Sequence, residues 1–184
     1  PGELLLVENG RLQRQRYWDI HYDVDFDHAE VYFVDRIQEL LHESVRLHLQ
    51  SDVEVGAYLS GGIDSTLIAG LASEEVGHRL RAFHGRFIEF PGYDESAFAQ
   101  SAADQASLRL SIRDLTSNGL ESLLRRVIYH LDYPTAGPGA LPQFLVSELA
   151  AEHVKVVLGG QGGDEIFGGY ARYLIGYLEQ AIRA

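Results

Sequence analysis

The sequence predicts an α/β fold, a parallel sheet with helices on both faces. Three observations carry this. From Val53 onward, short apolar runs alternate with segments whose apolar residues recur every three to four positions. The first and last of those runs each lead into a glycine-rich turn followed by a helical segment. A content of 46% hydrophobic and 23% charged residues over 184 positions is a globular balance, enough for one domain and part of another.

Taken in order, the chain opens on a β-ribbon. Leu4–Val7 is apolar, Asn9-Gly10 is a strong two-residue turn signal, and Arg11–Trp18 returns. Residues 1–20 have little room for a core of their own and read as an edge or linker; 21–184 read as the main domain. From His28 to about Gln50, Val34, Ile37, Leu41 and Val45 have helical spacing. Strands are predicted at Val53–Leu59, Leu80–Phe87, Leu108–Leu115 and Val154–Leu158. Between them lie helices at Ile63–Val76, Glu95–Ala106 and Leu120–Leu131, the last with Leu120, Leu123, Leu124, Val127, Ile128 and Leu131 on one face. A Pro- and Gly-rich stretch, Asp132–Pro142, precedes a helix that runs through Ala151. A glycine-rich loop and one last helix close the chain.

Composition excludes several classes of function. Lys+Arg number 15 and Asp+Glu 27, a formal charge of −12. So acidic a surface repels phosphate backbones and anionic lipid, so neither nucleic acid nor membrane is expected as a partner. There is no cysteine, hence no disulfide, thiolate metal site or cysteine nucleophile. No apolar run approaches the roughly 18 residues that span a bilayer, and no signal peptide opens the chain; a cytoplasmic protein is expected. There is no Met, and the first residue is Pro1, as in a piece of something longer. The eight histidines fall in no metal-ligand spacing and read as solvated or helix-face residues.

The glycine turns carry the chemistry. Ser60-Gly61-Gly62-Ile63-Asp64-Ser65 lies between a strand and a helix. Unpaired backbone N–H groups and the positive helix end suit an anion there, and Gly61 and Gly62 let it come close. Ser60 and Ser65 add hydroxyl donors. A carboxylate, Asp64, belongs in such a place only with a cation between, which suggests a magnesium-bound polyphosphate. The plainer reading is a tight turn with Asp64 as helix cap. The second turn, Gly159-Gly160-Gln161-Gly162-Gly163-Asp164-Glu165, faces the same crevice if its strand neighbours the first. Asp164 and Glu165 then bring carboxylates that suit magnesium or a substrate ammonium group.

The first string resembles the SGGxDS loop of the PP-loop ATP pyrophosphatases. The second, with Ile166-Phe167-Gly168-Gly169-Tyr170, is similar to the SGEGxDExFGGY signature of asparagine synthetases of the B type. Arg16-Tyr17-Trp18-Asp19, Tyr93-Asp94-Glu95-Ser96 and Leu131-Asp132-Tyr133-Pro134 match further segments in family order. The resemblance implies an adenine nucleotide alpha hydrolase-like sandwich with five parallel strands in the order 3-2-1-4-5. It implies ATP and Mg2+ as cofactors, with Leu59, Ser60, Gly61, Gly62, Asp64, Ser65, Gly85, Gly159 and Gly160 binding ATP. Asp64 and Asp164 fall near magnesium, and Gln161, Asp164 and Glu165 in the catalytic group. The implied reaction adenylates the side-chain carboxylate of aspartate and releases pyrophosphate. Ammonia from a glutaminase domain then displaces AMP. That domain is absent here; residues 1–15 resemble only its tail, and the family's further C-terminal helices are also missing. A homodimer is one assembly the resemblance allows.

Two departures matter. Gly159 stands where the family has Ser, so a hydroxyl donor is lost. Gln161 stands where Glu is common, and a glutamine is no general base near neutral pH. Another carboxylate substrate, and a related lactam-forming, peptide-cyclising or tailoring synthetase, therefore stay open, as does a nucleotide-binding fragment without catalysis. Asp132 has two readings, a helix-terminating turn or a wall of the substrate pocket. The sole lysine, Lys155, lies on the wrong side of its strand for the family's catalytic lysine, so weak or no synthesis is expected of this piece alone.

Overall fold

The computed structural model describes residues 2–77, 80–89, 91–118, 120–132, 137 and 139–183, apart from the side chains of residues 91, 120 and 121. Tyr133 and Pro134 of the expected LDxP match lie outside the described residues. The chain divides into two compact units, Pro1–Glu39 and Leu40–Ala184.

In the first unit, β1 (Glu3–Glu8) and β2 (Arg11–Arg16) pair antiparallel. Asn9 and Gly10 both have positive φ, 50° and 73°, which gives the tight turn a twist that matches the strands. Helix α1 (Glu30–His48) runs across the division between the units; Val45, near its end, is its buried residue.

The second unit is a helix–sheet–helix sandwich. Its strands are β3 (Val55–Tyr58), β4 (Arg81–Phe87), β5 (Arg109–Leu115) and β6 (Val156–Leu158). All neighbouring pairs are parallel, in the spatial order β5-β4-β3-β6. The expected five strands are thus corrected to four among the described residues. After β6 the chain enters two helices, α6 (Gly163–Phe167) and α7 (Ala171–Arg183), rather than a further strand. Two helices also replace the single one expected: Gly168 ends α6 with a φ of 69°, a left-handed turn that stops the helix.

Successive residues of a strand face opposite sides, and both sides are covered here. Ala57, Leu59 and Ala82 join Ala69 and Ala72 of α2 (Ile63–Val76) and Ala99, Ala102 and Ala103 of α3 (Ser96–Gln105). So many alanines bring helix and strand backbones close. On the other face Phe83, 1% exposed, packs with Val146 and Ala150 of α5 (Ala140–Ala151) and with Val154. Helix α4 (Leu120–Leu131) adjoins α5 and buries Val127; Leu124 and Ile128 of its apolar face stay largely exposed. Asp132 follows α4 with a φ of 61°, which is the helix-terminating turn. Among the described residues no helix is long and apolar enough to cross a membrane.

Candidate functional site

The register sets the site. Gly56 pairs with Val157 and Ala57 with Leu158, so β3 and β6 end side by side and both glycine turns leave the same edge of the sheet. The close approach is at Gly160. A Cβ there would lie 2.7 Å from Ser65 N and 2.8 Å from the Asp64 carbonyl carbon, so the second turn lies on the first turn of α2. A Cβ on Gly163 would overlap the Asp64 carboxylate, so that backbone too is moulded to Asp64.

The first turn is braced from within. Ser65 Oγ donates to Gly62 O at 3.2 Å and accepts the Ser60 N–H at 3.1 Å. With that proton spent, Ser60 Oγ is the donor of the 2.9 Å hydroxyl–hydroxyl bond, and it accepts the Gly62 N–H at 3.2 Å. The two hydroxyls thus hold the loop in shape. The first-turn N–H groups of α2 have no partner inside the helix and suit an anion. Gly61, at a φ of 90°, packs on α3: a Cβ would lie 2.8 Å from Ala99 N. Gly62 is the residue before the helix and makes no side-chain cap, so Asp64 is not the cap; it lies in the first turn.

Two cavities meet at Ser60. One, of about 280 Å³, is lined by Ser60, Asp64, Ser65, Gly160, Gln161, Asp164 and Glu165. The other, of about 190 Å³, is lined by Leu59, Ser60, Gly85, His84, Glu95 and Gln143, among others. Gly61, Gly62 and Gly159 line neither; Gly159 faces a third, more apolar cavity between α1 and α2. A Cβ on Gly159 would overlap Gln161 Oε1, so the glutamine amide folds over the position where the family's serine side chain starts. At Gly85, Val146 and Leu115 already fill the space, 2.8 and 2.9 Å from where a Cβ would stand.

Glu165 accepts a 2.8 Å hydrogen bond from the Tyr170 hydroxyl. That bond, with backbone N–H donors, holds the Glu165 carboxyl below the usual carboxylate range and pushes the Tyr170 hydroxyl up. Arg172 lies 3.9 Å over the Tyr170 ring. Asp94 is also held low, first by the Ser96 hydroxyl and backbone and then by Arg86.

Sequence reasoning missed four wall residues. Tyr58 bonds Ser147 Oγ at 2.8 Å and borders both cavities. Gln143, on α5, also borders both cavities, and nothing in its local sequence signals it. Tyr170 was visible only as the end of a motif. His84 is buried at 4% exposure, and nothing in the sequence signalled a role for its side chain.

Neighbouring parallel strands that each run through a glycine turn into a helix define an open parallel α/β sandwich with both turns at one edge of the sheet. A U34-tRNA thiolase from Methanococcus maripaludis shares the fold, with a TM-score of 0.52 at 19% identity over 76% of this chain and 53% of that one. The family model for asparagine synthase matches residues 36–183, and this chain belongs to that family. It is 42% identical over 139 residues to a candidate glutamine-hydrolysing asparagine synthetase of Mycobacterium tuberculosis, covering 76% of this chain and 21% of the relative. It is 30% identical to asparagine synthetase B of Escherichia coli over 92% of this chain and 33% of the relative. An amidase, chyE, of Penicillium rubens is 29% identical over 98% of this chain and 30% of the relative. The chain thus spans between about a fifth and a third of the length of the curated relatives it matches.

Proposed function

We propose that this chain is the ATP-using part of an amide-forming synthetase. A substrate carboxylate oxygen attacks the α-phosphorus of ATP, the bond to the bridging oxygen breaks, and pyrophosphate leaves. Ammonia then attacks the acyl carbon, AMP departs, and a proton is lost. Aspartate as acceptor, and ammonia from a glutaminase domain, follow from the likeness to glutamine-hydrolysing asparagine synthetases and are part of this proposal.

The observation that carries it is Gly160 lying on the first turn of α2. Two glycine turns then border one anion site, whose donors are preorganised backbone N–H groups. The donor set suits magnesium, being oxygen only: Asp64 and Asp164 beside the site of the phosphates. When bound, magnesium offsets the negative charge of the phosphates. Asp64 and Asp164 would hold the ion, and Tyr170 orients the Glu165 carboxylate through its hydrogen bond.

A second reading, a synthetase acting on another acid, is favoured by Gln161. The test of both is ATP–pyrophosphate exchange by the protein that carries this chain, with aspartate and with other carboxylates. Exchange with aspartate alone is expected; exchange only with another acid moves the assignment to the second reading. Asp64→Asn is expected to weaken magnesium–ATP binding at least about tenfold by calorimetry, roughly the loss of one charge-assisted contact. If aspartate is the acceptor, Gln161→Glu should raise the exchange rate; an unchanged rate assigns Gln161 a role other than that of a lost base.

A further inference from the structure

His84 and Ser65 are the buried polar side chains among the described residues, and the internal bracing of the loop accounts for Ser65. His84 sits where β3 and β4 part. Leu59 N–H donates to Phe83 O at 2.9 Å, the last bond of that ladder. In a parallel ladder of this register the next bond would run from Gly85 N–H to Leu59 O. The pairing ends at Tyr58 and Phe83 instead, and His84 Nδ1 stands 2.8 Å from Leu59 O. A carbonyl only accepts, so the hydrogen is on Nδ1. Nε2 lies 3.4 Å from Ser96 Oγ, which donates to Asp94.

The peptide that joins Leu59 to Ser60 is thereby held at both ends. His84 takes the carbonyl, and Ser65 Oγ takes the N–H at 3.1 Å. Its orientation matters because it begins the glycine turn. A rotated peptide would leave a buried acceptor without a partner and turn a carbonyl toward the anion.

We propose that His84 is a positioning residue. Its imidazole replaces the ladder bond lost where the strands splay, fixes the Leu59–Ser60 peptide and so aims the first glycine turn at its anion. The reading of that anion as a phosphate of ATP is the one proposed above, and this inference rests on it. His84 does not touch the reacting atoms.

The test compares three variants of the protein that carries this chain. In His84→Asn the amide nitrogen takes the place of Nδ1 and keeps the donor; His84→Gln moves the donor to the reach of Nε2; His84→Ala removes it. Calorimetry with magnesium–ATP is expected to show binding weakened about tenfold in the Ala and Gln variants and within about threefold of the parent in the Asn variant. Ser60 amide exchange should quicken in Ala and Gln and not in Asn. A purely structural loss would lower the melting temperature without separating Asn from Gln, and that outcome overturns the proposal. If His84→Ala does not fold, Asn against Gln still decides. If the parent binds no magnesium–ATP, the nucleotide reading falls, and exchange alone decides: equal Ser60 rates in the parent and the Gln variant then overturn the positioning role.

Discussion

Gly160 and Gly62 belong to the two neighbouring glycine turns and make different demands. A Cβ on Gly160 meets backbone at 2.7 and 2.8 Å, and backbone cannot rotate away. Gly160→Ala is expected to cost about 1–3 kcal/mol, the usual range for overpacking, read as a lower urea midpoint. At Gly62 a Cβ would meet only Ser60 Oγ, at 3.3 Å, and the φ of −73° suits any residue. Gly62→Ala should cost less than about 1 kcal/mol, the scale of an altered helix cap. The Glu165–Tyr170 bond gives a test by pH. The folded carboxyl titrates below its ordinary 4.5, so its contribution is present above that pH and is lost as pH falls through the lowered value. The folded hydroxyl titrates above its ordinary 10.0, so its contribution is present below that pH and is lost as pH rises through the raised value. In Tyr170→Phe, carboxyl NMR should show the Glu165 midpoint move up toward that of a free glutamate. An unmoved midpoint would mean the backbone N–H donors alone hold the carboxyl low.

At the scale of elements, α2 and α4 have the bounds their local sequence pattern predicts. The strands at the site are shorter than their apolar runs. Val53 N–H turns to Ser51 Oγ, and Val154 N–H bonds back to Ala150 O at the end of α5. Both valines are apolar enough for a strand, yet their backbone groups are spent elsewhere. The two glycine turns were legible because each combines a strand, glycines and a helix start. The His84–Leu59 bond was not: 25 residues separate the partners, and one sequence carries no trace of such a pair. The burial of Phe83 under α5 gives an element-scale prediction. Phe83→Ala should cost about 3–5 kcal/mol, as truncation of a buried aromatic does; a loss below about 1 kcal/mol by denaturant titration would mean α5 collapses onto β4.

For the molecule as a whole, charge and site are at odds. A chain of formal charge −12 repels an anionic nucleotide at long range, while the binding proposed above would depend at short range on backbone N–H groups and a cation. Salt should therefore speed the association of magnesium–ATP, unlike the usual slowing for steered anions. Stopped-flow rates that fall with ionic strength would point to a local positive field at the cleft mouth. The fold class was legible because the alternation of strand and helix is written along the whole second unit. The strand count was not, since the fifth strand was inferred from likeness rather than from an apolar run in this chain.

Among the described residues, strand β6 pairs with β3 alone, and it is three residues long. On a ribosome the first glycine turn emerges roughly a hundred residues before the second, and β3 must wait for β6 before the crevice exists. Anything that bridges the two turns is thus also a clasp on the weakest strand of the sheet, so ligand and nascent chain are linked: occupancy selects the completed sheet over one that still lacks its edge.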